Sequence, residues 1–143
     1  MKRNVNEQYL SKAKRKDNGE WIVGYYFEQQ IHKDSPTKRY FIVVSEFPRY
    51  GAFSRPEFYE VDPSTICRCT GRHDCNGNLV WEHDIVEVHD LDKYLVVWDS
   101  QKAVFEFQVC ECSMTSFEHV GDEDMKVVGN KFDNLDLVRD LML

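Results

Sequence analysis

The chain has 143 residues, 42% hydrophobic and 13% aromatic, with 18 Lys and Arg against 25 Asp and Glu for a formal net charge of −7. A chain of this length suits one domain, buries about 68–70% of its unfolded surface, and needs neither disulfides nor metal to fold. The composition excludes a disordered polymer, the acidity disfavours non-specific binding to phosphate backbones, and no apolar run is long enough for a membrane-spanning helix.

Residues Met1 to Tyr9 are polar and read as a loose extension with at most one helical turn. Leu10 to Arg15 reads as a short strand, and Lys16-Asp17-Asn18-Gly19 as a hairpin into Glu20 to Phe27. Gly24 inside that second strand predicts a bulge or the close approach of another backbone. Ser35-Pro36-Thr37 is a turn, Arg39 to Ser45 a buried strand, and Pro48 to Pro56 an irregular, mobile loop. Asn76-Gly77 predicts a two-residue hairpin, because such a turn demands positive φ at both central positions.

Short strands then recur at Asp84–Val88, Tyr94–Trp98, Val104–Val109, Ser116–Val120 and Lys126–Gly129. Phe105, Phe107 and Val109 alternate with polar residues and share one strand face. Five strands in so short a span predict a small SH3-like barrel. Asn134 can cap a short helix through Leu135, Leu137, Val138 and Leu141, whose spacing makes one apolar stripe. The expected fold is mainly β in a single domain: an extension at 1–9, an N-terminal β-hairpin and strand subdomain at 10–80, and an SH3-like barrel with a short terminal helix at 81–143.

Cysteine placement offers the sharpest possible chemistry. Cys67 and Cys69 flank Arg68, Cys110 and Cys112 flank Glu111, and each pair shares a strand face. Same-face neighbours lie about 7 Å apart, too far for two thiolates on one zinc unless the strand bends. Cys75, His73 and His83 are near the first pair in sequence, yet no Cys-x-x-Cys knuckle is present, so buried thiols are the expected reading. An odd count of five cysteines and the absence of an apolar signal region after Met1 point to a reducing cytoplasm.

Cys75 with His73 could form a nucleophile and base, but a hairpin tip supplies no oxyanion hole or orienting group. Asp84, Asp90, Asp92 and Asp99, with His89, invite a divalent-metal hydrolase, although acids are ordinary in turns. Trp21, Tyr25, Tyr26 and Phe27 could stack single-stranded bases; with no Lys or Arg interleaved in that run, a core strand is simpler. Lys2, Arg3, Lys12, Lys14, Arg15 and Lys16 concentrate positive charge near the N-terminus against Glu7 alone, which reads as a solvated basic end. Catalytic, cofactor and metal residues are therefore all assigned as none.

Three separated segments carry a family resemblance. Lys14-Arg15-Lys16-Asp17-Asn18-Gly19-Glu20-Trp21-Ile22-Val23-Gly24-Tyr25 opens it, and Val61-Asp62-Pro63-Ser64-Thr65 followed by Thr70-Gly71-Arg72-His73-Asp74-Cys75-Asn76-Gly77 marks its centre. Val127-Val128-Gly129-Asn130 with Asn134-Leu135-Asp136-Leu137 closes it. In this order they resemble the YopX family of phage and prophage proteins. Glu82-His83-Asp84 departs from the Glu-Gly-Asp common in that family, so His83 must accept a left-handed backbone or use another turn. Ser11 to Ala13 stand where the family commonly shows a Phe-Arg-Gly-like triplet.

The resemblance implies a β-rich, oligomeric phage or prophage protein and carries over no catalytic residue. The resulting expectation is a non-enzymatic interaction or assembly module without cofactor. It would self-associate, or bind a phage or host protein, in the cytoplasm of a bacterial host and away from membranes. A nucleic-acid-associated regulator is the alternative, and a metal-dependent hydrolase the third.

Overall fold

The computed structural model describes residues 7–44, 57–110 and 113–142. Eleven strands and one helix dominate them: β1 (Ser11–Lys14), β2 (Trp21–Gln30), β3 (Lys38–Val44), β4 (Phe58–Glu60), β5 (Cys67–His73), β6 (Leu79–Trp81), β7 (Asp84–Val88), β8 (Asp92–Asp99), β9 (Val104–Cys110), β10 (Ser113–Ser116), β11 (Met125–Asn130) and α1 (Leu135–Met142). The mainly β expectation holds. Two compact units divide the chain, Met1–Arg68 and Cys69–Leu143.

In the first unit the antiparallel ladder runs β4-β3-β2-β1 and reaches the opening of β5, where Ser11 pairs with Arg68. The β1–β2 hairpin forms as the Asn-Gly signal predicts, with Gly19 at φ +73° donating to the Arg15 carbonyl. Gly24 is where backbones crowd: a Cβ there would overlap the carbonyl of Val43 on β3. Ala13, Ile42 and Val61 are fully buried on one face of this ladder, with Ile22, Tyr26, Tyr40 and Ile66 packed against them. Asp62 caps the single turn Pro63–Thr65, accepting the Ser64 N–H and hydroxyl, while the Thr65 hydroxyl accepts the Lys14 N–H at 2.8 Å. The Val-Asp-Pro-Ser-Thr marker is thus a clasp on β1. Pro48 to Pro56, with the loop expected there, lie outside the described residues.

In the second unit the later part of β5 pairs with β6, and a five-stranded antiparallel sheet runs β10-β9-β8-β7-β11. Four of the five strands expected for an SH3-like barrel are present where predicted, but in an open sheet: β10 and β11 are its opposite edges and do not pair with each other among the described residues. Its core is Val80, Val86, Val88, Val96, Phe107, Phe117 and Met125. Phe105 joins this core while Val109, on the same strand face, is exposed. Helix α1 packs on β8 and β9. The Asn134 carbonyl accepts the first helical N–H groups, whereas its side chain turns back to the Asn130 N–H at 3.0 Å.

Two local expectations are corrected. Asn76-Gly77 is not a two-residue turn: only Gly77 has positive φ, Gly77 N–H bonds to the Asp74 carbonyl, and Asp74 pairs with Asn78, leaving a three-residue loop. The buried Asp74 carboxylate gathers the N–H groups of Asn76 and Asn78, and so shapes the turn. The pair of positive φ angles sits instead at His89 (+54°) and Asp90 (+56°), between β7 and β8. The strand expected at Ser116–Val120 is displaced to β10, because the carbonyls of Phe117 and Val120 are taken by the Arg72 guanidinium. His83 does adopt the left-handed backbone, at φ +71°.

Candidate interaction surface

Most polar residues singled out in the sequence have structural partners. Cys67 and Cys69 are buried thiols on one strand face, as expected; the Cys67 thiol donates to the Thr65 carbonyl and the Cys69 sulfur accepts the Gly71 N–H. Cys75 is exposed at the loop, its N–H on the Met125 carbonyl, while His73 pairs with Leu79 in the β5–β6 ladder. Cys112 lies outside the described residues. Asp84 is buried and accepts the Trp81 N–H at 2.8 Å; Asp99 accepts the N–H groups of Gln101 and Lys102. Asp84 opens β7 whereas Asp90 follows its end, so the strand holds them about 15–20 Å apart. Among the described residues, no three His, Cys, Asp or Glu side chains gather as a metal centre.

Two residues of the central motif do more than their spacing revealed. Asp74 is buried; burial alone would raise its pKa, but the N–H groups of Val127, Asn78 and Asn76 outweigh it and hold the carboxyl below its ordinary value. The Arg72 guanidinium donates to Asp122 at 2.9 Å and to the Phe117 carbonyl at 2.8 Å, reaches the Val120 carbonyl, and lies over the Phe117 ring. Each knits distant parts of the second unit.

The surface left over is aromatic. Alternation along β2 sends Ile22 and Tyr26 into the first unit's core and Trp21, Val23, Tyr25 and Phe27 to the opposite face. Register then adds Phe41 and Val43 from β3 and Phe58 from β4, since Phe27 pairs with Phe41, Tyr25 with Val43, and Val43 with Phe58. Phe27 stacks on Phe41 with ring centroids 5.1 Å apart, and Phe58 meets Phe41 edge-on at 5.7 Å. Tyr25, Phe27 and Phe58 nonetheless remain 38%, 36% and 56% exposed. The core-strand reading of this aromatic run therefore holds for Tyr26 and fails for Tyr25 and Phe27.

Cations border this face from neighbouring strands, which a reading of β2 alone could not show. Lys12 and Lys14 on β1 stand 4.7 and 5.3 Å from the Trp21 ring centroid, and Arg39 lies 5.1 Å from that of Phe41. Arg39 and Lys16 both converge on Glu60, at 3.0 and 3.7 Å, so two cations share one carboxylate and depress its pKa. Elsewhere in the unit Lys38 pairs with Glu28 and Arg15 with Asp17. An apolar aromatic centre with an ion-paired rim has the anatomy of a protein–protein contact.

A model of the YopX protein family matches residues 5–139. No curated protein matches the chain. Among solved structures, the crystal structure of protein EF1440 from Enterococcus faecalis is similar in fold, with a TM-score of 0.54 and 17% identity over 90% of this chain and 96% of that one. No described helix is long and apolar enough to cross a membrane.

Proposed function

The chain belongs to the YopX family, and on that premise we propose that it is a non-enzymatic assembly module of a phage or prophage, self-associating in the cytoplasm of the bacterial host. One observation carries the reading: Tyr25, Phe27 and Phe58 stand exposed together on one sheet face. Rigid aromatic rings are the side chains that most often anchor protein contacts, because they bury large area at little entropic cost. The roles found for Asp62, Asp74, Asp84, Asp99 and Cys67 support binding over catalysis, since the side chain of each is already bonded to a backbone group.

Sedimentation of the intact protein at micromolar concentration tests this. The protein should run as an oligomer, and Tyr25→Ser with Phe58→Ser should shift it to monomer while the far-ultraviolet β signal persists. A monomeric mass for the intact protein overturns the reading. A single-stranded nucleic acid is the second candidate occupant, favoured by Lys12, Lys14 and Arg39 beside the rings. It is weakened by the chain's net charge of −7, which repels a phosphate backbone, and oligonucleotide binding that falls steeply with salt would reinstate it.

A further inference from the structure

We propose that self-association joins unlike surfaces: the aromatic face of the first unit in one copy receives the acidic second unit of the next. This rests on the assembly reading above and adds the identity of the opposing surface. Residues 1–68 hold 12 Lys and Arg against 9 Asp and Glu, a net of +3, whereas residues 69–143 hold 6 against 16, a net of −10. Pairing two second units sets strong like charges together, and pairing two first units sets weaker like charges together. Only the unlike pairing is attractive.

The side chains at the rim agree with the totals. Two cations, Arg39 and Lys16, converge on the single carboxylate of Glu60, which leaves positive charge in surplus beside Phe41 and Phe58. Across the second unit Asp90, Asp92 and Glu123 are exposed on turns and strand ends. The rings supply the desolvated centre of the contact, and the charges at its border choose the partner and speed its approach. A contact between different patches is heterologous. Every copy offers one of each, so assembly proceeds until a ring closes or a chain grows.

Two variants test this, each checked for its far-ultraviolet β signal. One carries Tyr25→Ser and Phe58→Ser; the other carries Asp90→Asn, Asp92→Lys and Glu123→Lys, with Asn chosen at 90 because it tolerates positive φ. Each should be monomeric alone, and an equimolar mixture should give a one-to-one dimer, because each supplies the surface the other lacks. The intact protein should dissociate at least tenfold more readily in about 0.5 M than in about 0.05 M salt, where exposed charges are far less screened. If the triple variant assembles like the intact protein, or the mixture stays monomeric, the unlike pairing is overturned while the assembly reading stands. If the intact protein is monomeric even at low salt, the assembly reading falls with it. Should the triple variant lose its β signal, Asp92→Asn with Glu123→Gln repeats the mixing experiment, with the same two outcomes decisive.

Discussion

The Asp74 carboxylate accepts the backbone N–H of Val127 at 3.0 Å, tying the β5–β6 hairpin to a strand 53 residues further along the chain. The Cys75 N–H bonds to the Met125 carbonyl beside it. The hairpin thereby covers the free edge of β11, where unpaired backbone groups would otherwise invite another strand. The Asp74-Cys75 part of the central motif therefore caps a sheet edge.

Replacing Asp74 should be costly. Asp74→Ala removes the shared acceptor of three part-buried backbone donors, on Asn76, Asn78 and Val127, and a loss of about 3 kcal/mol is expected from a denaturant titration. The pH dependence follows from the lowered pKa. A carboxyl that ionises more readily folded than unfolded adds stability above its unfolded pKa of about 3.9, and that stability drains away as pH falls through the lower folded value. Asp74→Asn should flatten the acid limb of the stability curve; an unchanged limb would show that other carboxyls set it.

His83 holds φ +71° with its ring edge-on to Phe132, 5.4 Å between centroids. Glycine avoids the left-handed strain but forfeits the ring contact, and alanine forfeits the contact while keeping the strain. His83→Gly should therefore be about 1–2 kcal/mol more stable than His83→Ala by urea midpoint. Burial lowers the His83 pKa, chiefly over the opposing pull of Glu82. The unfolded chain then protonates first, so stability is lost as pH falls below about 6.5, and His83→Gly should remove that component.

The sequence made the strands legible wherever a local signal sufficed. Alternation placed β9, the Asn-Gly at 18–19 placed the first hairpin, and Gly24 announced a crowded backbone. What escaped depended on partners far away in the chain. Asn76-Gly77 reads as a two-residue turn until Asp74 is known to be buried with its carboxylate on Asn76 and Asn78. Residues 117–120 read as a strand until Arg72, 45 residues earlier, claims the Phe117 carbonyl. His89-Asp90 turns with two positive φ angles and no glycine to advertise it. The aromatic face was half visible: period two could have separated Tyr26 from Tyr25 and Phe27, but Phe41, Phe58 and the bordering cations arrive through strand register.

Two glycines should behave very differently. Gly24→Ala drives a methyl into the Val43 carbonyl, which a ladder hydrogen-bonded on both sides cannot yield without moving, so a loss above about 3 kcal/mol or failure to fold is expected. Gly77, at φ +81°, has open space around it, so Gly77→Ala should cost only the left-handed penalty of about 1–2 kcal/mol. Thermal melts of both variants check the ordering, and equal losses would contradict this account of Gly24.

Arg72 should not tolerate lysine. The guanidinium fork donates to Asp122, to the Phe117 carbonyl and to the Val120 carbonyl, while its plane lies over the Phe117 ring with 4.7 Å to the centroid. Lysine keeps the charge, but one ammonium cannot span three acceptors in that planar arrangement or stack on the ring. Arg72→Lys should cost about 2 kcal/mol, the scale of one or two hydrogen bonds to a charged group. The loss should be concentrated locally: amides of residues 117–124 should exchange faster, while those of β7 and β8 keep their protection relative to global unfolding. A global loss with no excess exchange in 117–124 would mean that Arg72 acts through its charge on the unit as a whole, and the fork would not be what holds this turn out of the sheet.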